Sequence, residues 1–113
     1  MYVEERIYTL HPGKAAEYLK IYEGEGMAVQ AKHLPNMVGY YFVEVGPQNT
    51  IVHLWAYESL DQREKLRAGL QADPAWQAYL AKGRALLISQ ETRILKCAPF
   101  FVERLKKMLT AAK

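Results

Sequence analysis

The sequence predicts one α+β domain with the ferredoxin-like element order βαββαβ and a four-stranded antiparallel sheet. A chain of 113 residues provides one modest core. The spacing of its apolar residues switches between the two-residue period of strands and the longer period of helices, in that order. Half of the residues are apolar and 24% are charged, which excludes a disordered, a collagen-like or a membrane-spanning chain.

The first strand is predicted at residues 2–10, where the side chains alternate between two faces. One face carries Glu4, Arg6, Tyr8 and Leu10, and the other carries Val3, Glu5, Ile7 and Thr9. A Pro-Gly pair ends this strand, and apolar residues at three- and four-residue steps then predict a helix over 14–34. Gly24 and Gly26 inside this helix indicate close packing or a local bend.

Two further strands, 37–46 and 50–57, are predicted to form a hairpin because the residues between them favour turns. With Val45 opposite Thr50, one face of the hairpin is aromatic with two ionisable groups, and the other is mostly aliphatic. The aromatic face carries Val38, Tyr40, Phe42, Glu44, Ile51, His53, Trp55 and Tyr57. This asymmetry is the most informative functional feature of the hairpin.

The second half of the chain supplies the remaining helix and strand. Ser59 is a favourable first residue for a helix over 60–71, with a glutamine at the capping-box position. An Asp-Pro pair at 73–74 starts a second helical segment that runs to about Ala85. β-branched residues predict a last strand at about 88–96.

Helices on one face of this sheet would leave its other face uncovered. Each predicted face carries large apolar side chains, so an uncovered face would be a substantial apolar patch. We therefore expect a homodimer in which two sheets stack about a two-fold axis.

The net charge of +3 lies in the C-terminal tail. Residues 103–113 hold four basic side chains and one acidic side chain, whereas residues 1–102 hold eleven of each. A nucleic-acid protein would spread basic residues over a face, so we expect no nucleic-acid partner. The lone Cys97 forms no internal disulfide, and the first residues lack the apolar segment of a signal peptide. We therefore expect a cytoplasmic protein without membrane insertion.

The chain is divided into a domain at 1–100 and a basic, helical extension at 101–113. A few basic charges on a short amphipathic helix give only modest attraction to a membrane surface. We expect the apolar residues around this extension to pack on the domain or on its dimer mate instead. They are Phe100, Phe101, Leu105 and Leu109.

Several segments form a recognisable set of motifs. The opening motif is Glu4-x-Arg6-x-Tyr8-x-Leu10-x-Pro12-Gly13, and the central one is the hairpin from Gly39 to Tyr57. The other segments are Asp73-Pro74-x-Trp76, Arg63, Arg67 and the stretch from Gln90 to Phe100. Together they resemble the NIPSNAP-like family, and the resemblance spans residues 2–100 and implies a dimeric α+β barrel. It implies no particular activity. Wider relatives of that barrel include cofactor-independent monooxygenases and haem-degrading enzymes, but no motif here matches such a site residue by residue.

The strongest candidate for chemistry is His53 beside Glu44. A histidine held in one tautomer by a carboxylate can act as a general base near neutral pH. In this hypothesis Arg6 stabilises developing negative charge, and Arg63 and Arg67 bind a carboxylate or phosphate. The aromatic walls of the substrate site are Tyr8, Tyr40, Trp55 and Trp76.

Each of these groups also has a purely structural interpretation. His53 fits a hydrogen-bonded histidine in a sheet interface, and Arg6 with Glu4 fits an ion pair near a dimer seam. Arg63 and Arg67 fit a solvated helix face. The histidines lack metal-ligand spacing and no glycine-rich phosphate loop follows a strand, so we expect no metal and no cofactor.

Two functions remain open at this stage, and whether the chain is an enzyme is undecided. The first is a dimer that binds a small apolar or aromatic molecule between sheet and helices, with cofactor-independent oxygenase or isomerase chemistry as an option. The second is a non-catalytic interaction module whose aromatic face serves dimerisation. A cavity beside His53 for roughly 10–20 heavy atoms would favour the first, since ligand sites are concave.

Overall fold

The computed structural model describes residues 1–112, which follow the predicted element order. The strands are β1 (Tyr2–Leu10), β2 (Met37–Phe42), β3 (Thr50–Tyr57) and β4 (Leu87–Lys96). The α-helices are α1 (Ala15–Ile21), α2 (Met27–His33), α3 (Leu60–Gln71), α4 (Pro74–Gly83) and α5 (Val102–Ala111). A π-helical turn (Tyr22–Gly26) joins α1 to α2, and 3-10 turns (Arg84–Leu86 and Pro99–Phe101) precede β4 and α5.

The strands form one antiparallel sheet in the order β2-β3-β1-β4, which confirms the ferredoxin-like α+β fold. β1 pairs with β3 and β4, and β3 also pairs with β2, so β1 and β3 are the two central strands. At the helix starts, Ser59 Oγ accepts from the backbone of Gln62 at 3.1 Å. Asp73 Oδ1 likewise accepts from the backbone of Ala75 at 2.9 Å, as the capping residues predict.

The hairpin differs from the prediction in its register and length. Tyr40 lies opposite His53 and not, as predicted, opposite Trp55. A shift of two residues keeps each side chain on its face, so Tyr40 and His53 still share the aromatic face. However, β2 ends at Phe42, and Glu44 lies in the exposed loop that follows it.

Backbone geometry explains the shorter strand. Asn49 has a φ of 57° and Gly46 a φ of 133°, so both lie in the left-handed region that turns a chain out of a strand. The backbone N–H of Val43 donates to Thr50 at 3.0 Å and closes the hairpin there. The residues between them therefore form a loop and not a continuation of the ladder.

A bulge at the start of β2 also changes one predicted position. The register shifts between Met37 and Gly39. Val38 packs against the cluster around Leu105 on the opposite face of the sheet, so its assignment to the aromatic face is wrong.

The aromatic face of the sheet builds the main core under the helices. Its cluster of buried residues includes Tyr8, Tyr18, Tyr22, Trp55, Tyr57, Trp76 and Tyr79. Helical side chains cover this face. The aromatic face is therefore not available for sheet-on-sheet dimerisation, contrary to the second function considered above.

The opposite face is mainly aliphatic, and α5 covers one end of it. Leu105 and Leu109 are buried against Ala56 on this side. Phe100 is 90% exposed and Phe101 is 38% exposed, so only part of the expected tail residues, Leu105 and Leu109, are buried on the domain. Tyr41 of β2 is 56% exposed on the same sheet face. Lys113, the last residue of the expected extension, lies outside the described residues.

Among residues 1–112, no helix has both the length and the apolar content needed to cross a bilayer.

The π-helical turn brings the first helical run into close contact with α4. Tyr22 and Gly26, at its two ends, are both buried. A Cβ atom on Gly26 would lie 2.9 Å from Cε1 of Tyr79, whereas a Cβ atom on Gly24 would meet nothing within 4 Å. Close packing is therefore the reason for Gly26 but not for Gly24.

We expect Gly26→Ala and Gly24→Ala to change stability in opposite directions. Gly26→Ala forces the buried Tyr79 ring to move and lowers the free energy of unfolding by about 1–3 kcal/mol. Gly24→Ala removes unfolded-state entropy at an open helical position and raises that free energy by up to about 1 kcal/mol. Urea unfolding followed by circular dichroism measures both variants. Equal effects would contradict the tight contact at Gly26.

Candidate functional site

His53 lies at the centre of the aromatic face and is 1% exposed. Its ring stacks on Tyr40, with centroids 4.6 Å apart and an interplanar angle of 17°. Tyr8 meets the same ring edge-on at 4.8 Å. Three of the predicted site residues, Tyr8, Tyr40 and Trp55, therefore surround His53, as the shared strand faces predict.

The hydrogen bond from Trp55 defines the tautomer of His53. Trp55 Nε1–H donates to His53 Nδ1 at 2.7 Å. An indole nitrogen only donates, so Nδ1 must accept, and the proton of a neutral His53 sits on Nε2. Burial, and then the charges of Arg6 and Arg67, lower the pKa of His53 to about 3. At neutral pH His53 is thus a neutral ring that presents an N–H donor.

Two buried donors in this region have no hydrogen-bond partner among the described residues. They are Nε2 of His53 and Nε1 of Trp76. Both residues line one narrow cavity of about 20 Å³ between the sheet and α4. That volume holds about one water-sized group. The expected cavity for roughly 10–20 heavy atoms is not present beside His53, because tyrosine side chains fill the space.

The tyrosines that fill the space form their own hydrogen bonds. The Tyr79 hydroxyl donates to Tyr18 at 2.8 Å, and the Tyr22 hydroxyl donates to Gln30 at 2.5 Å. Burial raises the pKa of Tyr18, Tyr22 and Tyr79, so they remain neutral. From the sequence, Tyr18 and Tyr22 were recognisable only by the three- and four-residue spacing of the predicted helix over 14–34. That spacing was the one signal that placed their side chains against the sheet.

An open groove of about 310 Å³ lies on the outer side of this cluster. Tyr22 and Tyr40 line both the groove and the narrow cavity. Their rings are stacked, with centroids 4.5 Å apart and an interplanar angle of 20°. His53, Tyr40 and Tyr22 thus form a stack of three rings that leads from the interior to the groove.

The Glu4 carboxylate accepts hydrogen bonds from the arginines that were predicted to bind a ligand. Arg63 donates to Oε2 from Nη2 at 2.7 Å and from Nε at 3.2 Å. Arg6 reaches Oε2 at 3.2 Å, and Arg67 reaches Oε1 at 3.3 Å. The Tyr57 hydroxyl donates to Oε1 at 3.1 Å. Arg63 and Arg67 do clamp a carboxylate, but it belongs to the protein.

The Glu4 carboxyl remains charged although it is 0% exposed. Burial raises the pKa of Glu4, but the Arg63 hydrogen bond and the charges of Arg67 and Arg6 outweigh it, so the net pKa is lowered. The Arg6–Glu4 pair lies under the helices and not at a seam between two sheets. The pairing of Arg6 with Glu4 was predicted from the sequence, but the hydrogen bonds of Glu4 with α3 were not.

The predicted partnership of His53 with Glu44 is not formed. Glu44 is exposed in the loop after β2, whereas His53 is enclosed. Among residues 1–112, no group of three or more His, Cys, Asp or Glu side chains is arranged to hold a metal ion.

Comparison with known proteins adds the family. The NIPSNAP family profile matches residues 3–101. This chain belongs to the NIPSNAP family. The NipSnap homolog of Dictyostelium discoideum is 36% identical over 92 residues, which is 81% of this chain and 40% of that protein. The human NipSnap homolog 3A is 33% identical over 102 residues, 88% of this chain and again 40% of the relative. The chain thus spans well under half of these curated relatives.

Solved structures show the same fold. A NIPSNAP family protein of unknown function from Agrobacterium tumefaciens is 48% identical, with a TM-score of 0.85 over 88% of this chain and 90% of that one. An antibiotic biosynthesis monooxygenase is 12% identical, with a TM-score of 0.62 over 88% of this chain and all of that one, 100%. The second likeness shows the shared fold alone. The NIPSNAP match includes the whole His53 and Glu4 region, while α5 begins just beyond it.

We expect Glu4→Gln to lower the free energy of unfolding at neutral pH by about 3 kcal/mol, because it leaves three guanidinium groups without a counter-charge. Glu25→Gln is the matched control, since it removes an exposed 2.6 Å ion pair with Lys82 and costs less than about 1 kcal/mol. Denaturant unfolding measures both. Equal losses would contradict the structural importance of Glu4.

The pH dependence of the Glu4→Gln effect follows from the lowered pKa of Glu4. The stabilisation is complete above the ordinary pKa of 4.5 and is lost as the pH falls towards the lowered value. The difference between the parent protein and Glu4→Gln therefore shrinks on acidification. Unfolding midpoints between pH 7 and pH 3 measure this trend. A difference that grows on acidification would mean that Glu4 is not held as a carboxylate.

Proposed function

We propose that this NIPSNAP protein binds a small, flat apolar or aromatic molecule in the groove beside Tyr22 and Tyr40, as a homodimer formed through its open sheet face. The observation that carries the proposal is the stacked Tyr22–Tyr40 pair, which walls both the groove and the interior cavity. A volume of about 310 Å³ falls at the lower end of ligand sites.

The chemistry of the groove supports an apolar, planar ligand. Leu19, Met27 and Met37 provide apolar lining, and methionine adapts to ligand shape. The two tyrosine rings offer surfaces on which another ring packs in an offset or edge-on arrangement. Lys20 and Glu23 add the few polar groups that orient a ligand.

The geometry supports binding more than base catalysis by His53. A general base needs a free lone pair and a pKa near the working pH. In His53 the lone pair on Nδ1 accepts from Trp55, and the pKa is lowered to about 3. His53 is therefore better suited to donate a hydrogen bond than to abstract a proton. Oxygenase or isomerase chemistry would need another group to start it.

The open face supports the homodimer. Tyr41, on this face, is 56% exposed. An apolar hollow of about 350 Å³ beside α5 is lined by residues such as Val3, Leu54 and Leu95. A second copy related by a two-fold axis would cover the same surface on both chains, which is the commonest form of soluble oligomer.

We expect the parent protein to bind 4-fluorotoluene, a small planar probe, in the groove. Met27→Lys places a charge in the apolar lining and weakens binding by about tenfold or more. Met108→Lys is the matched control, because Met108 is exposed on α5 to a similar degree. Fluorine NMR titration measures the dissociation constants. Undetectable binding to the parent protein, or equal weakening in both variants, would reject the groove as the site.

The dimer is tested separately with Tyr41→Glu. In the proposed dimer this variant buries an unpaired carboxylate on each copy, so it becomes monomeric. Leu60→Glu, at a 47% exposed position at the start of α3, leaves the dimer intact. Native mass spectrometry reads out one or two copies of the 13.0 kDa chain. A monomeric parent protein at micromolar concentration would refute the dimer.

A further inference from the structure

Two residues that line the narrow cavity beside His53 carry buried donors without a protein partner among residues 1–112. Nε2 of His53 and Nε1 of Trp76 are both buried without a protein partner. The two side chains are 1% and 5% exposed, and both line the cavity. Leaving such groups unpaired costs about 1–3 kcal/mol each, so a protein seldom retains two of them in one place without a use.

The tautomer of His53 decides what the cavity accepts. Because Trp55 donates to Nδ1, the proton of neutral His53 lies on Nε2. The indole nitrogen of Trp76 can only donate. Both unpaired groups are therefore donors, and the partner they lack must be an acceptor. The cavity volume of about 20 Å³ admits one atom of that kind.

We propose that this cavity is a binding site for one hydrogen-bond-accepting oxygen, held by Nε2–H of His53 and Nε1–H of Trp76. The oxygen belongs either to a buried water or to the terminal carbonyl, phenolate or carboxylate group of a ligand. An oxygen atom has the two acceptor positions that the two donors require.

The surrounding charge favours an anionic oxygen over a neutral one. Three guanidinium groups surround the single carboxylate of Glu4, which leaves a positive balance next to the aromatic cluster. Arg6 bonds both Glu4 and the hydroxyl of Tyr8, which itself lines the cavity. Arg84 lines the cavity as well. Preorganised donors beside positive charge stabilise negative charge on oxygen.

The cavity and the groove share Tyr22 and Tyr40 as a wall. In this part the inference rests on the proposed function: a ligand that lies in the groove and carries an oxygen on its ring reaches the cavity past these two rings. The ligand class is then an aromatic carbonyl, phenol or carboxylic acid. The acceptor site itself does not depend on the groove.

The first test reads the site in the parent protein by NMR. Imidazole nitrogen shifts report which nitrogen of His53 is protonated, and we expect Nε2. We also expect the indole proton of Trp76 to show a cross-peak to water or to shift saturably when potassium fluoride is added. Fluoride is a single-atom acceptor that fits the cavity, and potassium chloride at equal ionic strength is the salt control.

The second test removes one donor by replacing an indole with the smaller phenyl ring. Trp76→Phe keeps an aromatic ring but lacks the N–H, and we expect it to weaken fluoride binding, read from the His53 nitrogen shifts, by at least about tenfold. Thr110→Val is the control, because it removes an exposed hydroxyl on α5, away from the cavity lining. If Trp76→Phe fails to fold, the tautomer and fluoride measurements on the parent protein still decide the matter.

The outcomes separate the two sources of oxygen and the two proposals. A water cross-peak that fluoride does not displace supports the site with water as its occupant, whereas displacement supports an anionic ligand oxygen. A proton on Nδ1 of His53, or an indole proton with neither response, overturns the inference. Fluoride binding without any binding of 4-fluorotoluene rejects the groove proposal alone.

Discussion

The structure depends on one buried carboxylate. Glu4 in β1 accepts from Tyr57 in β3 and from Arg63 and Arg67 in α3. Taking a carboxylate out of water costs several kcal/mol, and only a complete set of well-placed donors offsets that cost. Because these donors come from β3 and α3 and the acceptor from β1, they restrict where α3 can lie along the sheet. The position of α3 in turn sets how the rest of the helical layer covers the aromatic face.

Two of the arginines that bond Glu4 also affect the protonation of His53. More positive than negative charge surrounds Glu4, and Arg6 and Arg67 act together with burial to keep His53 neutral. A neutral imidazole whose Nδ1 accepts from Trp55 presents only its Nε2–H to the cavity. Trp55 therefore fixes the proton of His53 on Nε2, and the arginines that bond Glu4 help to keep the ring neutral. Arg6 and Arg67 thus bond the buried Glu4 carboxylate and also lower the pKa of His53.

Strand alternation predicted the faces of the sheet because parity survives a register shift of two residues. It could not predict where β2 ends, since Val43, Glu44 and Val45 alternate like a strand but lie in a loop closed by Asn49. The i, i+4 spacing of the two arginines in α3 predicted either a clamp for a ligand's carboxylate or phosphate or a solvated helix face, but not that Glu4, distant in sequence, would supply the carboxylate. The cavity volume depends on tyrosines from separate helices, which no local pattern reports.

The two rings that separate the cavity from the groove belong to segments of unequal stability. Tyr40 lies on β2, an edge strand that pairs only with β3, and Tyr22 begins the π-helical turn, whose hydrogen bonds differ from those of a regular helix. Local opening needs least free energy where a segment has few partners. The Glu4 cluster, by contrast, ties three elements together. Tyr22 is 4% exposed and its hydroxyl bonds Gln30, so we expect local opening of this wall at Tyr40 rather than at Tyr22.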